Sequence, residues 1–261
     1  MPTFAVNLSM LFTEAPLQER FDLAAQAGFK HVEIQFPYEL PIETIQEALK
    51  RNGQTLELIN FPAGDWAAGE RGIACNPDRT DEFRQGVALA LEYASALGVK
   101  RINALSGIQP DGVSDQDAEE TFAQNLRYAA QQCEGQGIQL LAEAINTQDI
   151  PGFFLNRSEQ LFTLKERYQI DALQLQYDVY HMQIMEGNLI TTLQQNLGNI
   201  GHIQIADVPG RHEPGTGEIN FPNVLSALDE MGYPGVVSLE YIPANDTLSG
   251  LTQLKHIIGG Q

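Results

Sequence analysis

The sequence predicts an α/β protein with the architecture of a single (β/α)8 TIM barrel. Segments with the pattern of a strand and segments with the pattern of a helix alternate eight times along the chain. A length of 261 residues also suits one barrel of this kind, which typically has about 250 residues. Strand-like runs in the second half carry oxygen donors at or near their ends, and the spacing between successive runs leaves room for about one helix and one strand. We therefore expect one domain over residues 1–261.

The first half of the chain contains four predicted strands: FAVNL near residue 4, HVEIQF, TLELINF and KRINAL. Apolar residues at three- and four-residue spacings predict a helix between the first two strands, and Gly28 ends it. Pro41 opens a second helix, which runs to about Arg51. A third helix begins at Thr80, and its apolar stripe stops at Gly98. No glycine-rich phosphate loop follows the first strand, which disfavours an open nucleotide-binding sheet.

The second half repeats the pattern with the strands IQLLAEA, LQLQYD, HIQIAD and VVSLEY. Ser114 and Asp117 resemble a capping box, with Asp in place of the usual Glu or Gln, and predict a helix before the fifth strand. Further helices are predicted near 158–168, 189–197 and 222–231, and from about residue 247. Eight strands and eight helices favour a closed barrel over an open sheet.

Two connections are too long to be simple turns. Residues 61–77 follow the third strand and residues 207–219 follow the seventh. Both loops should emerge at the rim where the strands end, and long loops at such a rim often carry function. We expect them to lie over the active site.

Composition limits the classes of function. The formal net charge of -19 would repel nucleic acid and anionic membranes, so neither is an expected partner. Cys75 and Cys133 are too few for a disulfide framework, and the N-terminal sequence has neither a basic leader nor a long apolar stretch. These features favour a cytoplasmic protein, and they are compatible with a homo-oligomer.

Four oxygen-bearing side chains are the candidate metal ligands: Glu143, Asp178, Gln204 and Glu240. Any one of them could merely cap a helix or face solvent. Together, three carboxylates at one rim would repel one another unless a divalent cation lay among them. An all-oxygen set favours Mg²⁺ or Mn²⁺ over Zn²⁺. Such an ion could stabilise an enediolate while Glu143 and Glu240 act as base and acid on either side of a hydroxy-carbonyl compound.

Other residues are candidates for binding a small anionic substrate. His181 lies three positions after Asp178, where a turn could bring its imidazole toward the metal pocket, although a purely structural histidine is the alternative. Arg211 and Arg71 are cations on the predicted rim loops of an acidic chain. Trp66 could close over the substrate or simply anchor its loop.

Four segments carry a family resemblance: NLSMLF at 7–12, PAGDWAAGERGIAC at 62–75, YDVYHMQ at 177–183 and HIQIADVPGRHEPGTGEIN at 202–220. With them the chain resembles the hydroxypyruvate isomerase family of the xylose isomerase-like barrels. The resemblance implies conversion of hydroxypyruvate to 2-hydroxy-3-oxopropanoate (tartronate semialdehyde), with Glu143 and Glu240 as the proton donor/acceptor pair. It also implies a divalent metal on Glu143, Asp178, Gln204 and Glu240.

One position departs from the family pattern. Relatives often carry a basic residue two positions after the last catalytic Glu, where this chain has Ile242. An isomerase of 2-oxo-tetronates or an isomerase or epimerase of larger ketoses therefore remains an alternative. Two other classes, endonuclease IV-like DNA repair and a non-catalytic ligand-binding barrel, are disfavoured by the net charge and by the paired glutamates respectively.

Overall fold

The eight strands form one closed barrel in the computed structural model, which describes residues 2–259. The strands are β1 (Thr3–Asn7), β2 (His31–Glu33), β3 (Thr55–Asn60), β4 (Arg101–Ala104), β5 (Gln139–Glu143), β6 (Leu173–Asp178), β7 (Ile200–Ile205) and β8 (Val236–Leu239). Every neighbouring pair is parallel, and β1 closes the barrel against β8 with Val6 opposite Leu239. The predicted (β/α)8 barrel is thus confirmed.

The helices surround the barrel in the expected alternation. They are α1 (Leu17–Gln26), α2 (Ile42–Asn52), α3 (Thr80–Leu97), α4 (Asp115–Glu134), α5 (Ser158–Tyr168), α6 (Val179–Met185), α7 (Leu189–Asn196), α8 (Phe221–Glu230) and α9 (Thr247–Gly259). Helix α6 was not expected, so the described part of the chain has one helix more than the eight predicted. It begins directly after Asp178, whose side chain accepts a hydrogen bond from the Tyr180 N–H and so caps the new helix.

Local sequence signals fix several helix ends. Ser114 caps α4 by accepting a hydrogen bond from the Asp117 N–H. Its hydroxyl in turn donates to the Asp117 carboxylate at 2.7 Å, so the shorter Asp reaches the capping hydroxyl rather than the capping residue's backbone. Gly98 ends α3 with a φ of 74°, a left-handed conformation that glycine adopts without a steric penalty.

The apolar core lies between the barrel and the helices. Phe21, Phe83, Phe122 and Phe221 come from four different helices and are fully or almost fully buried. Replacing such a phenylalanine by alanine typically costs about 3–5 kcal/mol. None of the helices in the described part of the chain combines the length and the apolar character needed to cross a lipid bilayer.

The loop 207–219 is organised around one carboxylate. Asp207 accepts hydrogen bonds from the backbone N–H groups of Gly215, Gly217 and Ile219 at 2.8, 2.9 and 3.1 Å. Gly217 packs so close that a Cβ atom there would meet the Val208 carbonyl oxygen. This loop therefore has a defined shape despite its length, and it carries Arg211.

Candidate active site at the carboxyl ends of the strands

Four successive strands deliver the predicted donors to one rim of the barrel. Glu143 and Asp178 are the last residues of β5 and β6, Gln204 lies in β7, and Glu240 directly follows β8. Asp178 lies opposite Gln204 in the register of β6 and β7. All four are at most 4% exposed. The parallel topology therefore places four polar side chains, three of them acidic, in a nearly dry environment.

Glu240 is held by hydrogen bonds at both oxygens. Its Oε1 accepts from Asn7 Nδ2 at 2.8 Å, from Gln35 Nε2 at 2.9 Å and from Gln204 Nε2 at 3.1 Å. Its Oε2 accepts from Arg211 Nη2 at 2.6 Å. Three amide donors at one oxygen fix the orientation of the carboxylate, so the second oxygen is the one that faces the charged cluster.

Glu143 has a looser environment on the opposite side. Its Oε2 accepts from Asn103 Nδ2 at 3.1 Å and from Gln176 Nε2 at 2.9 Å. Its Oε1 lies 3.9 Å from His181 Nε2, beyond hydrogen-bond distance. This oxygen is therefore available to a bound molecule.

Gln204 presents its amide differently from the sequence expectation. Its nitrogen donates to Glu240 and, at 3.2 Å, to Glu33, while its oxygen accepts from Gln176 Nε2 at 2.7 Å. Ionised carboxylates only accept hydrogen bonds, so the nitrogen must face them. For Gln204 to serve as a metal ligand, its amide would have to turn its oxygen toward the carboxylates.

Arg211 is the cation nearest to the acidic cluster. Its Nη2 lies 3.3 Å from Asp178 Oδ2 as well as 2.6 Å from Glu240 Oε2, and its guanidinium carbon lies 5.4 Å from the centre of the Tyr180 ring. Its backbone has a φ of 56°, a left-handed conformation that is uncommon outside glycine. Loop 207–219 thus inserts one positive charge between two buried carboxylates.

Burial makes the acidic side chains resist ionisation. It raises the pKa of Glu143 well above its ordinary value, and the negative charges of Glu240 and Asp178 raise it further. Burial also raises the pKa of Asp178, although Arg211 opposes the shift. The pKa of Glu240 is raised to about 7, again mainly by burial and against the influence of Arg211. One guanidinium does not balance three carboxylates, and a divalent cation would stabilise their charged forms.

The residues fit such a cation by position as well as by charge. Ligand atoms of Glu143, Asp178 and His181 all lie within 4.8 Å of one another, and all three side chains are buried. Burial lowers the pKa of His181 well below its ordinary value, so its imidazole is neutral. These residues could hold a metal ion, and their arrangement does not identify which one.

Arg71 and Trp66 lie together on loop 61–77 at a distance from this cluster. The guanidinium carbon of Arg71 lies 4.3 Å from the centre of the Trp66 ring, which packs against Phe36 at 5.1 Å. In the described residues neither side chain forms a hydrogen bond or ion pair with the cluster. Trp66 and Gln35 instead line a cleft of about 550 Å³, and Gln35 donates to Glu240. The cleft thus adjoins both loop 61–77 and Gln35, one of the residues that hold Glu240.

The sequence did not reveal the role of Glu33, a buried carboxylate that contacts His202 and accepts a hydrogen bond from Gln204. Glu33 and His202 are both fully buried, and His202 Nε2 contacts Glu33 Oε1. Burial alone would raise the pKa of Glu33, but the charge and the hydrogen bond of His202 lower it. The amide donors Asn7, Gln35 and Asn103 were also missed. A signal existed, because each is a polar residue at or beside the end of a predicted strand.

Comparison with known proteins supports the same interpretation. A family model described as "Xylose isomerase-like TIM barrel" matches residues 21–256. Hydroxypyruvate isomerase of Escherichia coli (strain K12) is 49% identical over 251 residues, which cover 96% of this chain and 97% of that protein. A 2-oxo-tetronate isomerase of Cupriavidus necator is 42% identical over 259 residues, covering 99% and 100% of the two chains.

A solved structure is also closely similar. The crystal structure of a protein described as AP endonuclease, family 2, from Brucella melitensis superposes with a TM-score of 0.94 at 45% identity, over 97% of this chain and 98% of that one. The curated relatives are isomerases, which agrees with the predicted reaction class of aldose-ketose isomerisation. The extent of the family match and of these identities shows that the chain belongs to the xylose isomerase-like TIM barrel family.

Proposed function

We propose that this protein is an isomerase that interconverts hydroxypyruvate and 2-hydroxy-3-oxopropanoate. The observation that carries the proposal is the pair of buried glutamates, Glu143 and Glu240, whose pKa values are both raised. Glu240, with its pKa raised to about 7, can accept and return a proton at little cost near neutral pH, and the pKa of Glu143 is shifted in the same direction. The 49% identity to a hydroxypyruvate isomerase over almost the whole chain supports the choice of substrate.

The reaction moves a proton between neighbouring carbons. One glutamate removes a proton from the hydroxymethyl carbon of hydroxypyruvate, and the other delivers a proton to the former carbonyl carbon. The hydroxyl oxygen loses its proton as the aldehyde forms, and the former carbonyl oxygen gains one. When bound, Mg²⁺ or Mn²⁺ held by Glu143, Asp178, Glu240 and a turned Gln204 would stabilise the negative charge on the two oxygens of the enediolate.

Arg211 and His181 would bind the substrate in this proposal. The Nε of Arg211 is buried and has no hydrogen-bond partner among the described residues, so it can donate to a substrate carboxylate. His181 lies between Glu143 and Asp178, where it can contact a substrate oxygen. Arg71 and Trp66 would contribute from loop 61–77, and loops 61–77 and 207–219 together would cover the site.

Proton exchange tests the proposal directly. Purified enzyme with Mg²⁺ should incorporate deuterium from D₂O into hydroxypyruvate and its product, as observed by proton NMR. Glu143→Gln and Glu240→Gln should each lower kcat by roughly 10²–10⁴-fold, because each removes a proton carrier. Glu166→Gln, on the exposed face of α5, is the matched control and should retain normal turnover. Near-normal turnover in either active-site variant, with circular dichroism unchanged, would exclude that glutamate from proton transfer.

A second candidate substrate is a 2-oxo-tetronate, which has one more hydroxyl-bearing carbon. The 42% identity to a 2-oxo-tetronate isomerase over 99% of this chain favours it. Measuring kcat/KM for both acids under one set of conditions ranks them. Cytoplasmic location and a homo-oligomeric state stay predictions.

A further inference from the structure

Asn146 is a fully buried residue in the loop after β5, three positions beyond Glu143. Its Oδ1 accepts hydrogen bonds from the backbone N–H groups of Gln148 at 3.0 Å and Asp149 at 2.8 Å. A backbone N–H can only donate, so these two contacts identify the oxygen of this side-chain amide and leave its nitrogen pointing the other way.

The nitrogen of Asn146 faces the imidazole of His181. Nδ2 lies 2.7 Å from His181 Nδ1 and 3.0 Å from Asp149 Oδ2. The backbone N–H of Asn146 is directed at the same ring nitrogen at 3.4 Å. A ring nitrogen that accepts from two N–H groups carries no hydrogen of its own. His181 is therefore a neutral imidazole with its hydrogen on Nε2.

The Nε2–H group points into the candidate site without a close partner there. It lies 3.5 Å from Asp178 Oδ2 and 3.9 Å from Glu143 Oε1. Both distances exceed the usual 2.7–3.2 Å of an N–H···O hydrogen bond. An oxygen atom of a bound molecule placed between the two carboxylates would receive this hydrogen.

The ring is also held from the side. The aromatic ring of Tyr180 packs at 5.2 Å from the imidazole, edge to face. The Tyr180 hydroxyl donates to Asp149 Oδ2 at 2.8 Å, the same oxygen that accepts from Asn146. The orientation of the ring and the tautomer are thus set by one connected network.

We propose that Asn146 is a positioning residue that fixes His181 as the Nε2–H tautomer, so that His181 donates a hydrogen bond to a substrate oxygen and does not ligate the metal. A metal ligand needs a lone pair at Nε2, and this tautomer has none there. A neutral imidazole can stabilise a developing oxyanion by donation while keeping its proton. The identity of that oxygen, on a hydroxy-carbonyl acid, rests on the proposed function.

Nitrogen NMR of the wild-type enzyme, recorded before and after Mg²⁺ is added, tests the tautomer of His181 independently of activity. In protein labelled with ¹⁵N-histidine, the His181 signals, assigned by their loss in His181→Gln, should show a protonated Nε2 and an unprotonated Nδ1. Both ring nitrogens of His181 should keep these protonation states when Mg²⁺ is added. A proton on Nδ1, or an Nε2 signal displaced as Mg²⁺ binds, would overturn the proposal and make His181 a ligand.

The variant Asn146→Asp should favour the opposite tautomer of His181, with its hydrogen on Nδ1. A carboxylate facing Nδ1 requires a hydrogen there, which leaves a lone pair on Nε2 toward Glu143 and Asp178. We expect the NMR pattern to invert, kcat to fall by roughly 10- to 100-fold, and Mg²⁺ to bind more tightly. Asn156→Asp is the matched control, because Asn156 Nδ2 donates to the Phe153 and Phe154 carbonyls and not to histidine.

The outcomes separate this inference from the proposed function. If hydroxypyruvate is not isomerised while the wild-type spectrum shows Nε2–H, the substrate assignment fails and the role of Asn146 stands. If hydroxypyruvate is isomerised while Asn146→Asp keeps both the wild-type tautomer and the wild-type kcat, the role of Asn146 fails. Should Asn146→Asp not fold, the wild-type spectrum alone decides.

Discussion

Replacing Glu240 by Gln should change how the stability of the metal-free protein depends on pH. Burial raises the pKa of Glu240 from an ordinary 4.5 to about 7, opposed by Arg211 and reinforced by Asp178. The folded protein therefore holds this proton more tightly than the unfolded chain does. It follows that Glu240 contributes stability that is complete below pH 4.5 and is lost as the pH rises to about 7.

The size of the effect follows from the interval between the two pKa values. Each pH unit corresponds to about 1.4 kcal/mol, so the rise from 4.5 to about 7 amounts to about 3 kcal/mol. Little of this is screened by solvent, because Glu240 is only 2% exposed. His181 acts in the opposite direction. Burial lowers its pKa well below 6.5, so its contribution is lost as the pH falls below 6.5. The difference between wild type and Glu240→Gln removes the contribution of His181 and leaves that of Glu240, together with the change that loss of its charge causes in the pKa of Glu143.

Urea unfolding in EDTA between about pH 4.5 and pH 8 measures this difference. The free energy of unfolding of the wild type should fall by about 3 kcal/mol relative to that of Glu240→Gln across the range. Added Mg²⁺ should reduce the fall, because bound metal competes with protons for the carboxylates. Parallel pH profiles for the two proteins would refute the argument that Glu240 is buried with a raised pKa.

Three further predictions concern single residues. Arg211→Gln removes the guanidinium that lies 2.6 Å from Glu240 and 3.3 Å from Asp178. Calorimetry should therefore show that Mg²⁺ binds roughly tenfold more tightly, a gain of about 1.4 kcal/mol in binding free energy. Equal or weaker binding of Mg²⁺ would contradict this prediction. Asp207→Asn weakens the three backbone hydrogen bonds that shape loop 207–219. Trypsin should therefore cleave the variant after Arg211 faster than it cleaves the wild type. An unchanged cleavage rate would argue that Asp207 does not hold the loop in shape. Ser114→Ala removes the cap of α4 and should lower the free energy of unfolding by about 1 kcal/mol in urea, with no loss expected in kcat.

The order of strands could be predicted because clear helix start and stop signals separate several of the barrel strands. Gly98 stops α3 before β4, and Ser114 starts α4 before β5. Helix α6 could not be separated from β6 in the same way. Asp178 both ends the strand and caps the helix, so no turn residue marks the boundary between them.

The polar side of β2 shows why part of the site was missed. The alternation in HVEIQF resembles a strand with one face in solvent. In the structure Val32, Glu33 and Ile34 are all fully buried, because the polar face of this strand lies inside the barrel and its apolar face lies under the helices. Sequence alone does not distinguish an interior polar face from an exposed one. Only the closed barrel of the structure therefore shows that Glu33 and Gln35 belong to the site.

The hydrogen bond from Asn7 to Glu240 joins the first strand to the last across 233 positions of sequence. During synthesis the ribosome releases β1 through β7 before the residues that complete this contact exist. A nascent chain that has not yet exposed β8 therefore lacks both the last strand of the barrel and Glu240, one of the two proposed proton carriers. Turnover should appear abruptly, near the end of translation, rather than growing with chain length.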